Sequence, residues 1–427
     1  MILEFTVKNT FSIKDEQLIS FEAVDTVTED DKFHCTEIGG KKFLKLACLY
    51  GANASGKTNI ARALAFYIDF LINSFHKLEP TGVIPFFPFL FDAKTGNEPG
   101  EFTIVFYAKD FESENSIRYE YFIQLNEKKV LSESLYYSPK GQKKLIFERR
   151  DSIKWGACVT GAKKIIAELT RDNCSVVSAG AQAKHPIFLH VYEYFNKRFT
   201  GIINSSINSL AGYTAKRMDE DKTLKEKVIQ LLSFSDMGNI TDIVIRKQEI
   251  PEEVIKTFPD QVKNEIAQMG EKPIVRNVGL VHHYGEDVVL PLSLESAGTK
   301  KIMELAAPLI DITQEPSMCV IDELESSLHQ ELLEMFIQLF LESSEESQLL
   351  FTSHNQDLLD SGLLRDDEIW FCNKASDGSS KYSSITDYTG IRKETSRKKL
   401  YQADKFGALP NVNMNALREL FRATKNR

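Results

Sequence analysis

Eight consecutive residues, Gly51-Ala52-Asn53-Ala54-Ser55-Gly56-Lys57-Thr58, match the pattern GxxxxGK[ST] without deviation. That pattern suits phosphate. Glycines let the backbone close around phosphate oxygens, free N–H groups at a helix start attract the anion, Lys57 supplies a cation for β- and γ-phosphates, and the Thr58 hydroxyl can ligate Mg²⁺. A chance glycine-rich turn is the competing reading, and the flanking elements weigh against it. The apolar run Leu46-Ala47-Cys48-Leu49-Tyr50 stops at Gly51 as a buried strand would. Beyond Thr58, the residues Ile60, Leu64, Tyr67, Ile68, Leu71 and Ile72 repeat at helical spacing, the stripe of a helix packed on a sheet.

A second apolar run, Met318-Cys319-Val320-Ile321, ends in the carboxylates Asp322 and Glu323. Standing alone, such a pair is more often a helix N-cap with favourable dipole charge. With a phosphate loop upstream, Asp322 is assigned to the metal and Glu323 to orienting and deprotonating the attacking water. The next run, Leu350-Phe351-Thr352-Ser353-His354, puts a histidine at a strand end, where it would act as a hydrogen-bond sensor of the γ-phosphate rather than a structural histidine. ATP and Mg²⁺ are thus the expected ligands.

The remaining pattern must position these groups. Ile2 to Val7 and Gln17 to Ala23 read as strands, and Glu101 to Ala108, Ile117 to Leu125, Val130 to Tyr137 and Leu145 to Arg149 as an antiparallel meander. Pro85, Pro88 and Pro99 make the 82–100 stretch irregular. From about 151 to 272 the pattern is mixed, with helical pieces near His190–Phe199 and Leu224–Phe234, too short and interrupted for coiled-coil arms. Helices over Thr299–Asp311 and Leu328–Glu342 then alternate with the strands Met318–Ile321, Gln348–Thr352 and Glu368–Phe371, which predicts a mainly parallel, covered sheet.

The order of the phosphate loop, Leu294-Glu295-Ser296-Ala297-Gly298-Thr299-Lys300, the acidic strand, Glu325-Ser326-Ser327-Leu328-His329 and the strand to His354 resembles the ABC-type ATPases of the SMC/recombination-repair branch. By that resemblance Ser296 and Gly298 belong to the signature motif, Glu325–His329 to the D-loop, and His354 is the switch histidine. The residues are compatible: Ser296 can cap a helix and, with the Gly298 N–H, offers anion donors, though alone the stretch would be no more than a capped helix start. The resemblance implies that these donors meet ATP across a homodimer or higher oligomer. Leu3 to Ser12 resembles the opening strand and Lys-Asn turn of stand-alone SMC-like heads, while Pro291 to Ser296 with the late Tyr401 to Asn411 stretch is similar to the AbiLi/RloA-type anti-phage ATPases, which implies an abortive-infection role and a separate effector, a nuclease or toxin. Thr10-Phe11 stands where some relatives have an arginine, and the 82–150 region shows no clear Q-loop glutamine.

The expected fold is therefore an α/β P-loop NTPase, an ABC/SMC-like head with a mainly parallel core sheet, an antiparallel β lobe and an inserted helical subdomain. Residues 1–150 and 280–427 would form the head and 151–279 the insert. The alternative function is a recombination-repair-like DNA-binding ATPase. Across 427 residues, 52 basic and 61 acidic side chains give a formal charge of -9, so nucleic acid could be contacted only through a local patch. Arg392-Lys393 and Arg397-Lys398-Lys399 read first as a solvated helix face, and otherwise as a docking patch for nucleic acid or an acidic partner. His282 and His283, adjacent on a strand, point to opposite faces and cannot share a metal. Six scattered cysteines without ligand spacing fit a reducing compartment. With no leader pattern and no long apolar run, the chain is expected to be cytoplasmic and not bound to a membrane.

Overall fold

In a computed structural model the described residues are 1–24, 31–204, 209–235, 237–258, 263, 266, 273–392, 394–410 and 413–423. Lys393 and Asn411, named above, fall outside them. The chain forms an α/β P-loop NTPase fold in two compact units that interleave along the sequence. The first comprises Met1–Ile202, Ser317–Val320 and Gln348–Arg427, the second Ile203–Pro316 and Ile321–Ser347.

In the first unit the expected meander is an antiparallel sheet. Strands Gly100–Lys109, Ser116–Leu125, Val130–Ser138 and Lys144–Arg149 pair in sequence order, extended by Ile153–Trp155 at one edge and by Ile2–Lys8 and Gln17–Ser20 at the other. Its aromatic residues serve packing, as the alternation along Ser116–Leu125 requires: Tyr119 and Tyr121 are fully buried. The second sheet carries the phosphate loop. There, Gln348–Thr352, Leu46–Tyr50 and Ile369–Lys374 lie side by side and parallel, with Met318–Asp322 beyond the first. Ser380–Ser384 closes the other edge as an antiparallel hairpin partner of Ile369–Lys374. All residues of Leu46–Tyr50, Met318–Asp322 and Gln348–Thr352 are buried, which explains their unbroken apolar character.

Helix Lys57–Lys77 follows the loop and buries the predicted stripe, Ile60, Leu64, Tyr67, Ile68 and Leu71. Its Tyr67 ring stacks on Phe102 of the antiparallel lobe at 5.7 Å, and its hydroxyl donates to the Tyr121 carbonyl. Beneath the lobe, fully buried Glu133 takes hydrogen bonds from the Tyr121 hydroxyl, the Arg149 guanidinium and the Val176 N–H, so the start of helix Val176–Gln182 is anchored on a carboxylate.

The second unit has its own core. Helices Ser209–Glu220, Lys222–Phe234 and Ala297–Gln314 and the antiparallel strands Ile240–Glu249, Ile274–His283 and Asp287–Pro291 bury Ala215, Met218, Val228, Leu280, Ile302 and Met303 together. Helix Gln330–Ser343 belongs to this unit too, and its Leu332 and Met335 lean on the same cluster. Among the described residues, no helix is long and apolar enough to cross a membrane.

Candidate nucleotide site

The strand register accounts for the central contact. Leu349 to Thr352 run parallel to Leu46 to Leu49, and the Ser353 N–H donates to the Leu49 carbonyl at 2.9 Å, so both strands finish together. One strand continues into the loop and the other into His354. In consequence the Lys57 ammonium, on the first turn of the helix, lies 2.9 Å from His354 Nε2. Lysine only donates, so Nε2 accepts and the imidazole proton is assigned to Nδ1. Lys57 also donates to the carbonyls of Gly51 at 2.9 Å and Ala52 at 3.2 Å. Ala52, Asn53 and Ala54 are the outer part of the loop, while Gly51, Ser55, Gly56 and Lys57 are buried and Thr58 half-buried.

Both motif glycines are sterically required. A Cβ on Gly51 would run into the Cys372 carbonyl, and one on Gly56 into the Ser380 and Ser12 side chains, while Gly56 also holds φ +116°. Ala54 adopts φ 61°, again in the left-handed region that tight anion-binding turns use. Ser55 Oγ is buried and has no hydrogen-bond partner among the described residues. An orphaned hydroxyl inside a loop that has no room for a Cβ at Gly51 or Gly56 fits a phosphate ligand well.

The other predicted residues lie in the second unit. Ser296 caps helix Ala297–Gln314 as expected: its Oγ accepts from the Thr299 N–H at 3.0 Å and pairs with the Thr299 hydroxyl at 2.8 Å. Gly298 is different from the loop glycines, because a Cβ there would meet only ordinary contact, 3.5 Å from the Ser327 carbonyl. Asp322 is buried at its strand end, and Glu323 follows, exposed, at φ 52°. A non-glycine residue in that conformation is strained, and strain of this kind concentrates at functional positions. Ser327 in the following turn has φ 64°.

Sequence reasoning missed three features. Lys301 on the Ser296-capped helix is only 3% exposed, and its ammonium has no hydrogen-bond partner among the described residues. Burial pushes its pKa down, against the charges of Glu304, Glu325 and Glu323. Its spacing to Leu305, Pro308 and Ile312 places it on the buried face, a signal available from the helical period. Second, Ser380, Tyr382 and Cys372 touch the phosphate loop from the hairpin at the sheet edge. The third is the fate of the basic segment. Arg397 makes a two-pronged pair with Asp366 at 2.7 and 2.9 Å, and Lys398 pairs with Asp357, so these cations are tied to the fold rather than presented as a patch. As expected, the two histidines diverge: His282 is held 2.8 Å from Glu295, and His283 2.7 Å from Asp287. Among the described residues, no group of three or more His, Cys, Asp or Glu side chains could hold a metal by itself.

A glycine-shaped loop between strand and helix, with a lysine and a strand-end histidine converging over it, defines an ATP-binding P-loop ATPase. The chain belongs to the AAA family described as "AAA domain, putative AbiEii toxin, Type IV TA system", whose model matches residues 46–360. No curated protein matches it. Among solved structures it is similar to an SMC head bound to the C-winged helix domain of ScpA, with 15% identity over 90% of this chain and 97% of that one, at a TM-score of 0.44. It is also similar to the SMC head domain from Thermotoga maritima, with 15% identity, 90% and 98% covered and a TM-score of 0.41. A third is the Smc head with an extended coiled coil bound to the C-terminal domain of ScpA, from Pyrococcus furiosus, at 14% identity, 95% and 98% covered, TM-score 0.40.

Proposed function

We propose that the chain hydrolyses Mg²⁺-bound ATP and uses binding and turnover to switch a partner. The observation that carries this reading is the convergence of Lys57 and His354 over a loop that admits no Cβ at Gly51 or Gly56. Bound Mg²⁺-ATP supplies the phosphoanhydride to be split. Lys57 balances phosphate charge, Thr58 and Asp322 would hold the ion, and His354 offers a hydrogen bond to the terminal phosphate. Glu323 carries the proton step, its carboxylate accepting a proton from the attacking water. Ser296 and Gly298 are offered outward, to nucleotide held by a second copy in a homodimer or higher oligomer. The ordinary space around Gly298 supports this, since packing inside the chain gives no reason for a glycine there.

We read the biological role as the ATPase sensor subunit of a bacterial anti-phage, abortive-infection system of the AbiLi/RloA type, acting in the cytoplasm on a separate effector. The family description, which names a toxin and toxin–antitoxin system, supports that direction. In this reading 1–150 and 280–427 form the ABC head and 151–279 its insert. A DNA-binding repair ATPase gains nothing from Arg397 and Lys398, which are spent on Asp366 and Asp357. Glu323→Gln tests the chemistry. It should keep ATP affinity, lose roughly 100-fold or more in turnover, and accumulate ATP-bound dimers by light scattering; wild-type turnover in that variant would remove Glu323 from the mechanism.

A further inference from the structure

The phosphate loop is held from behind by a set of side chains that no motif contains. In a planar trans peptide the C=O of one residue and the N–H of the next point opposite ways. Fixing the Ser55 carbonyl on the outer side therefore aims the Gly56 N–H into the loop, and fixing the Gly56 carbonyl does the same for the Lys57 N–H. Both carbonyls are fixed. Ser55 O accepts from the Ser380 hydroxyl at 2.5 Å and from the Cys372 thiol at 3.3 Å, and Gly56 O accepts from the Tyr382 hydroxyl at 2.7 Å as well as from the Asn59 N–H at 2.8 Å.

The Ser380 hydroxyl has its own support. Its proton goes to Ser55, so the Ser12 hydroxyl, 2.7 Å away, must donate to it, and Asn59 Nδ2 donates in turn to Ser12 Oγ at 2.7 Å. The result is a relay from the first turn of the helix through Ser12 to Ser380 and back to the loop carbonyl, each bond polarising the next. Ser380 is 1% exposed and Cys372 fully buried, so no water substitutes for these donors. Burial pushes the Cys372 thiol up to about 11, which keeps its proton available to donate.

We propose that Ser380 and Tyr382, with Ser12 behind them, are positioning residues for nucleotide binding, orienting the Gly56 and Lys57 amides toward the phosphates. This rests on the ATP reading above. The test is the affinity of Tyr382→Phe and Ser380→Ala for a fluorescent ATP analogue, alongside melting without nucleotide. Each single variant should bind roughly three- to tenfold more weakly and the double variant more weakly still. Tyr382→Phe keeps the ring and leaves Gly56 O its bond from Asn59, so its nucleotide-free melting temperature should stay near wild type. Wild-type affinity in both single variants would overturn the inference while sparing the ATP reading, as would a lower melting temperature with unchanged affinity. Failure of the unmodified protein to bind the analogue would overturn both.

Discussion

The phosphate loop and the Ser296 turn both present a helix start with serine and glycine, yet they are built in opposite ways. At the loop, the glycines and the carbonyls are accounted for by the chain itself: Gly51 and Gly56 have no room for a Cβ, and the Ser55 and Gly56 carbonyls are taken by distant side chains. At the turn, Ser296 and Ala297 are exposed and Gly298 has ordinary space. Shape dictated from within marks a finished site. A glycine that its own packing does not need points to a demand from outside, which is where the proposed second copy enters.

Paired glycine substitutions sharpen that contrast most. Gly56→Ala should cost roughly 3 kcal/mol of stability, visible as several degrees off the melting temperature, because it combines a disallowed φ with a collision at Ser380. Gly298→Ala should leave the folded protein unchanged or more stable by about 0.5 kcal/mol, since alanine favours a helix. Its hydrolysis should nonetheless fall. Equal destabilisation at both positions would erase the distinction. A smaller effect concerns the turn that carries Ser12. Its neighbour Lys14 bridges Asp92 and Asp377, holding the Asp92 carboxyl at about 2, while Ser379 and then Lys14 hold that of Asp377 at about 2, both below 3.8. Lowered carboxylate values stabilise the fold above the unfolded value and lose that contribution as the pH falls through the folded one. The melting difference between wild type and Lys14→Ala should therefore shrink between pH of about 4 and 2, and should be small throughout because all three groups reach solvent, Lys14 and Asp92 half-buried and Asp377 exposed.

Much of the site was readable because its signals are local. The eight-residue loop, the apolar strand closing on Asp322 and Glu323, the Ser296 cap and the strand end at His354 are each contiguous, and the 2-residue and 3.6-residue periods found the meander and the helices. What backs the loop was not readable. Ser12 and Ser380 are 368 positions apart, and no period or spacing connects them. Arg397 and Lys398 fall in a basic run whose meaning depends on Asp366 and Asp357, brought alongside only by the fold. Lys301 was passed over for another reason: lysine reads as surface, although the helical period sets it among buried neighbours.

Mixing two inactive variants tests the central claim most directly. Lys57→Ala spoils the phosphate loop and Ser296→Arg the outward turn, so a mixed dimer keeps one intact loop facing one intact turn. The account predicts that each variant alone is nearly inactive and that the mixture regains a substantial fraction of wild-type ATP hydrolysis. A mixture no more active than the sum of its parts, under conditions where wild type hydrolyses ATP, would contradict it.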